Sequence, residues 1–142
     1  MIRNCPSCGK KNRVPAGHLA DKGRCGACKA EIPPAGAPIE ADGPTFREIV
    51  GESRVPVLVD FWAGWCAPCR MTAPEVERVA REMAGRALVL KVDTESEPAL
   101  ASEYGVASIP NFLVFRGGLI LRQQPGAVPA EAMKSWLEAA GA

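Results

Sequence analysis

The sequence predicts an α/β fold, a mixed central sheet flanked by helices, preceded by a small metal-held module. Three observations predict it. Strand-like and helix-like stretches alternate over residues 44–141. A hairpin signal, Gly117-Gly118, sits between the last two strand-like stretches. All six cysteines fall in C-x-x-C pairs, Cys5/Cys8, Cys25/Cys28 and Cys66/Cys69.

The totals bound this reading. A chain of 142 residues holds one compact domain of about 100 residues plus something small. Apolar residues make up 47% of it, enough for a globular core. No apolar run approaches the roughly 18 residues that a membrane span needs, and MIRNCPSCGKKNRVP has no hydrophobic signal core. The expected location is therefore the cytoplasm, where C-x-x-C pairs are more often metal ligands or redox centres than structural disulfides. Charge divides the chain. Residues 1–40 hold seven Lys/Arg against three acids, a net +4, and residues 41–142 hold ten against thirteen, a net −3.

The Pro/Gly/Ala-rich segment IPPAGAPIEADGP, residues 32–44, has no helical or strand period and reads as the connection. The expected division is a cysteine module over residues 1–31, a linker over 32–38 and the main domain over 39–142. A short helix spans 44–52, capped by Thr45 or Asp42. The run VPVLVDFWA, residues 55–63, is apolar at nearly every position and reads as a central strand covered on both faces. Residues 67–84 are helical with Val76, Val79, Ala80 and Met83 on one face, and Pro74 is expected to kink that helix. A buried strand over 87–93, a short helix over 98–104, strands over 111–116 and 119–124, and an amphipathic helix at the end follow. Met133, Trp136, Leu137 and Ala140 are expected to face inward from the last helix.

The N-terminal cysteines match C-x2-C-x16-C-x2-C. As thiolates, Cys5, Cys8, Cys25 and Cys28 can each hold one corner of a tetrahedral zinc. So short a segment has little core of its own, and the metal would supply its folding energy. Gly9 and Gly26 suit tight turns at the two knuckles. Iron fits the same four-sulfur cage, and two disulfides are the alternative in an oxidised protein. His18, the only histidine, is read as an exposed residue outside the completed shell. The basic residues here could offset the thiolate charge. No aromatic residue precedes Phe46, so there is no stacking platform for nucleic acid, and none is expected as a partner.

With four cysteines in one site, Cys66 and Cys69 lack partners for a second cage, which leaves redox chemistry or an inert dithiol. They fall where the strand ending at Ala63 turns into the next helix. A cysteine at a helix N-terminus meets unpaired N–H groups and the dipole, which stabilise a thiolate. Residues three apart in a first helical turn lie close enough for a disulfide. Pro68 is tolerated there because its missing N–H had no helical partner. Asp60 interrupts VLVDFW in a strand that should be buried. A carboxylate in such a place is costly, its proton affinity rises, and it becomes a candidate general base for Cys69 through water. A strand-end Asp facing solvent is the alternative.

VLVDFWAGWCAPCR resembles the active-site stretch of thioredoxins, usually W-C-G-P-C, and SIPNFLVFRGG resembles their cis-proline strand and hairpin. Together with the N-terminal cysteines, the chain resembles the zinc-containing thioredoxin-2 class of bacteria, over both modules and in their order. The resemblance implies a thioredoxin fold behind a zinc-ribbon-like module with one structural Zn2+ and no bound organic cofactor. It implies a protein-disulfide reductase with Cys66 as the attacking and Cys69 as the buried resolving cysteine, and with Lys91 beside Asp60 as a tuning residue. Ile109 and Pro110 match the cis-proline dipeptide. Trp65, Ile109, Gly126 and Ala127 would form a flat docking surface for disulfide-containing proteins around the exposed sulfur. Trp62 would pack beneath the site, and Trp136 would be core. An NADPH-linked thioredoxin reductase would supply electrons to a monomer. No nucleotide-binding glycine motif is present. The chain departs from the family at Ala67, where Gly is usual, at Asn111 after the cis-proline, where Thr is usual, and at Gly64. Ala67 bears on the reduction potential.

Two other functions fit parts of the sequence. An oxidant or isomerase usually carries His between its cysteines, and Ala67-Pro68 argues against it. A metal-module interaction protein or holdase would use the main domain as scaffold, and the intact Cys66/Cys69 pair argues against that.

Overall fold

The computed structural model describes residues 1–142. The first two elements, β1 (Ile2–Asn4) and β2 (Lys11–Arg13), pair as an antiparallel hairpin. A single 3-10 turn, Ala16–His18, leads to a second hairpin, β3 (Gly23–Arg24) and β4 (Glu31–Ile32). Each hairpin encloses one C-x-x-C knuckle. The main sheet contains β5 (Ile39–Glu40), β6 (Val57–Trp62), β7 (Leu88–Asp93), β8 (Asn111–Arg116) and β9 (Leu119–Pro125) in the order β5-β7-β6-β8-β9. The first three run parallel, and β8 and β9 close the sheet antiparallel. The mixed sheet expected from the alternating sequence is therefore observed, with its strand and helix bounds shifted by a residue or two. The short β5 has too few residues to show a period. It lies within the stretch read as connection and becomes a strand by pairing with β7.

Helices α1 (Gly43–Glu52) and α3 (Pro98–Glu103) cover one face, and α2 (Ala67–Glu82) and α4 (Ala130–Ala139) cover the other. Of the two candidate caps, Asp42 holds α1, accepting from the Thr45 N–H at 2.9 Å. The period-two alternation of β6 sends Val57, Val59 and Phe61 toward α1 and Leu58 toward α2. The stripe Val76, Val79, Ala80 and Met83 of α2 is buried as its period predicted. The helix runs unbroken through Pro74, which has no N–H to offer the Arg70 carbonyl. On α4, Met133 and Leu137 are fully buried, whereas Trp136 and Ala140 sit half-buried at the rim. Trp136 is thus not ordinary core: its ring carries the Arg122 guanidinium 4.7 Å from the centroid. No helix is long and apolar enough to cross a membrane.

The cysteine module does not hang free. Leu19 and Ala16, between the two knuckles, are 1% exposed and belong to the same buried cluster as Phe46, Ile49 and Val50 of α1. Gly17 lies against the end of that helix, where a Cβ would stand 3.1 Å from the Glu52 carbonyl oxygen. The Ala35 N–H donates to the Leu19 carbonyl at 2.9 Å and ties the connecting segment to the same spot.

Candidate active site and metal centre

The two hairpins bring Cys5, Cys8, Cys25 and Cys28 together, with all four sulfurs within 4.8 Å of one another. The Cys5–Cys28 and Cys8–Cys25 sulfur pairs are 3.6 Å apart, and all four thiols are free. Sulfurs at about 2.3 Å from a tetrahedral zinc stand about 3.8 Å from one another, so the cage fits a metal and not two disulfides. Its walls are backbone. The N–H groups of Ser7 and Cys8 donate to Cys5 Sγ, and that of Ala27 donates to Cys25 Sγ, each at 3.4 Å. Backbone N–H groups, first that of Cys28 and then that of Ala27, hold the Cys25 thiol down at about 5. Asn12 links the knuckles, donating from its amide to Cys25 Sγ and accepting from the Gly26 N–H. Gly9 takes the left-handed backbone expected of it, φ 78°. Gly26 does not, and the equivalent position of the second knuckle is Lys29, φ 65°. His18 is exposed and its Nδ1 hydrogen-bonds to the Asp21 carboxylate at 2.7 Å, away from the sulfurs.

At the other end of the sheet, Cys66 caps α2 in extended conformation and accepts the Cys69 N–H at 3.2 Å. The two form a disulfide with Cα atoms 5.3 Å apart. Exposure does not separate them as expected, since Cys66 is 3% and Cys69 4% exposed. What separates them is the direction of their neighbours. Cys66 Sγ receives the helix N–H and lies 3.7 Å from the Ile109 carbonyl oxygen, so it faces the loop before β8. The Ile109–Pro110 peptide bond is cis. The Pro110 carbonyl accepts the Gly126 N–H at 2.8 Å, and Gly126 has φ 90°, a backbone that suits glycine. Trp65, directly before Cys66, is 67% exposed, Ile109 is half-buried, and Gly126 and Ala127 are exposed.

Asp60 is 1% exposed, not facing solvent, and its Oδ1 has no hydrogen-bond partner within the protein. By alternation along β6 it shares the face of Leu58, which packs under α2, and of Trp62. Burial pushes its carboxyl up to about 7; Lys91 on β7 opposes the rise and Glu40 adds to it. Lys91 is the register partner of Asp60, and its Nζ rests 4.4 Å from the centroid of Trp62. Trp62 in turn packs against the cysteine pair.

Three contributors escaped the sequence reading. The Arg70 guanidinium donates to the Gly64 carbonyl at 2.7 Å and ties the active-site loop to α2. Glu95, in the loop after β7, accepts from the Trp65 indole N–H. Glu40 stands across β7 from Asp60. Only Arg70 had a local signal, its place directly after Cys69; the others act across strands.

A five-stranded mixed sheet with a dithiol at a helix N-terminus opposite a cis-proline loop defines a thiol-disulfide oxidoreductase. Residues 37–139 match the family described as Thioredoxin, and residues 4–30 match the family described as Thioredoxin 2, N-terminal. Thioredoxin 1 of Nostoc sp. strain PCC 7120 is 48% identical over 94 residues, 66% of this chain and 88% of that protein. Thioredoxin C-3 of Corynebacterium nephridii is 37% identical over 138 residues, 97% of this chain and 94% of that protein. A solved mutant thioredoxin from Halobacterium salinarum NRC-1 superposes with a TM-score of 0.69 at 32% identity, covering 74% of this chain and 91% of its own. The chain belongs to the thioredoxin family, in the class that carries an N-terminal zinc ribbon, and is a thioredoxin-type disulfide oxidoreductase.

Proposed function

We propose that this protein reduces disulfides in other proteins in the cytoplasm, as a monomer recharged by an NADPH-linked thioredoxin reductase. The observation that carries this reading is the Cys66–Cys69 pair at the N-terminus of α2, with Cys66 Sγ turned to the Ile109 carbonyl. In the reduced protein the Cys66 thiolate attacks one sulfur of the substrate disulfide. The Cys66–substrate bond forms, the substrate S–S bond breaks, and the first substrate sulfur leaves as thiolate. The Asp60 carboxylate then takes the Cys69 proton through water, and Cys69 attacks Cys66 Sγ. That step forms the Cys66–Cys69 disulfide and releases the second substrate sulfur, with the two electrons now on the substrate. Asp60 returns its proton to the departing thiolate. Two electrons from the reductase and one proton restore the Cys66 thiolate and Cys69 thiol with which the cycle began.

Residues 1–31 would be the metal module, 32–38 its linker and 39–142 the oxidoreductase domain. The separate two-stranded sheets of the first part support a division there, with the second hairpin reaching one residue further, to Ile32, which is buried with Cys5 and Cys25. Cys5, Cys8, Cys25 and Cys28 would hold a single zinc, whose part is to close the two hairpins over a small core. Trp65, Ile109, Pro110, Gly126 and Ala127 would receive an extended substrate segment. The exposure of Trp65 and the free surface at Gly126 support that role.

Equilibration of the pair with glutathione tests the direction of electron flow. A reduction potential near about −270 mV, the reference value for thioredoxins and not a result of this geometry, supports a reductase. A value of about −120 to −180 mV, in the range of oxidants and isomerases, overturns it.

A further inference from the structure

Asp60, Lys91 and Glu40 form a row across three adjacent strands. Lys91 is the register partner of Asp60 on β6 and, on its other side, of Glu40 on β5. Side chains at one register point to one face, and this face is the one covered by α2. The row runs from the buried carboxyl outward. Asp60 is 1% exposed, Lys91 half-buried and Glu40 exposed at the sheet edge. Glu40, Lys91, Glu77 and Arg81 line one cleft of about 420 Å³, walled by the linker residues Gly36, Ala37 and Pro38.

We propose that Glu40 is a positioning residue for the dithiol chemistry: it stands across β7 from Asp60, on the other side of Lys91, and so raises the proton affinity of the Asp60 carboxyl. The proposal rests on the reading of Asp60 as the base for Cys69. A lysine next to a buried carboxyl would alone stabilise its charged form. An acid on the far side of that lysine adds its own negative field, which favours the protonated carboxyl. Burial is the main cause of the rise of Asp60 to about 7; Lys91 opposes it, and Glu40 adds the smaller electrostatic part that its place in the row explains. The remaining neighbours leave little competition. The β8 partner of Asp60 is Phe112. The α4 residues buried on this face, Ala130, Met133 and Leu137, are apolar. From α2 come the cysteine pair, and Glu77 and Arg81 at the mouth of the cleft, one of each sign.

The test is a 13C NMR titration of the Asp60 carboxyl in the oxidised full-length protein, where Cys66 and Cys69 do not titrate. Two strand spacings separate Glu40 from Asp60, so Glu40→Gln should lower the Asp60 midpoint by about 0.3–1 pH unit. Glu40→Lys should lower it further, Lys91→Met should raise it, and Glu40→Asp should retain the wild-type value. An unchanged or raised midpoint in Glu40→Gln overturns the proposal, as does an equal fall in Glu40→Asp. The reading of Asp60 as base is judged separately, by the pH profile of dithiol oxidation in Asp60→Asn. An unchanged acid limb there removes the catalytic consequence, while the titration still decides whether Glu40 acts on the carboxyl.

Discussion

The Cys69 backbone N–H donates to Cys66 Sγ at 3.2 Å, so the first turn of α2 closes directly over that sulfur. The helix therefore stabilises negative charge on Cys66 and not on Cys69, which lies one turn inside. In the reduced protein at neutral pH, iodoacetamide should modify Cys66 on the order of tenfold faster than Cys69. Peptide mapping after brief alkylation checks this. Cys69→Ser should accumulate a mixed disulfide with substrate through Cys66, and Cys66→Ser should be inactive.

Asp60 gives stability a pH dependence of definite sign. Its carboxyl ordinarily titrates at 3.8 and is raised to about 7 in the fold. Between those values the folded state keeps a proton that the unfolded state has lost, so stability falls as pH rises through the window and levels off above it. Asp60→Asn should remove that loss. Its advantage over the wild type should grow from about pH 4 to about pH 7 toward an upper figure of roughly 4 kcal/mol. Urea unfolding across this range checks the slope, and an advantage that shrinks with pH refutes the sign.

Leu19 belongs to the metal module by sequence but to the core beneath α1 by packing. Leu19→Ala should therefore destabilise the whole protein by about 2–5 kcal/mol, as a buried leucine in a large core does. Ile2→Ala, at a site 55% exposed on the same module, should change stability by under about 0.5 kcal/mol. Thermal unfolding followed at the tryptophans, all of which lie outside the module, makes the comparison.

Metal removal should expose the four module thiols to a thiol reagent while Cys66–Cys69 remains oxidised. Chelation under denaturant-free conditions should also lower the unfolding temperature of the main domain, because the hairpins that hold Leu19 and Ala16 in place lose their closure. Elemental analysis should find one zinc per chain beforehand. Retention of the full melting temperature after chelation would show that the Leu19 contact survives without the metal.

Loss of the tie between Arg70 and the Gly64 carbonyl should loosen the loop that carries Trp65. Arg70→Ala should raise KM for a protein disulfide more than it lowers kcat, since Arg70 contacts the loop and not the sulfurs. A small peptide disulfide, which needs less of the surface, should be affected less.

The elements that were legible in the sequence are those whose signal is local. The stripe on α2 follows from a 3.6-residue period, and the buried β6 follows from a continuous apolar run. The two metal knuckles follow from C-x-x-C spacing, and the dithiol from its place between a strand and a helix. Asp60 stood out because a charge in an apolar run demands a reason. Other features had no such signal. Strand β5 is two residues long and exists through its ladder with β7. The left-handed turn of the second knuckle falls on Lys29 instead of a glycine, because the cage geometry overrides the residue's own preference. Trp136 reads as core by period, yet lies at the edge of α4 against Arg122.

The sequence by itself determined the chemistry and its carriers: which cysteines are paired, which pair stands at a helix N-terminus, and which carboxyl is buried. These depend on residue type and short-range period, which act within one element. Only the tertiary structure decided how the carriers are set. It turned Cys66 Sγ to the Ile109 carbonyl, aligned Glu40, Lys91 and Asp60 across three strands, and seated Leu19 of the metal module against α1. Each of these joins residues distant in the chain, and such contacts are fixed by register and packing between elements, which no single stretch of sequence contains.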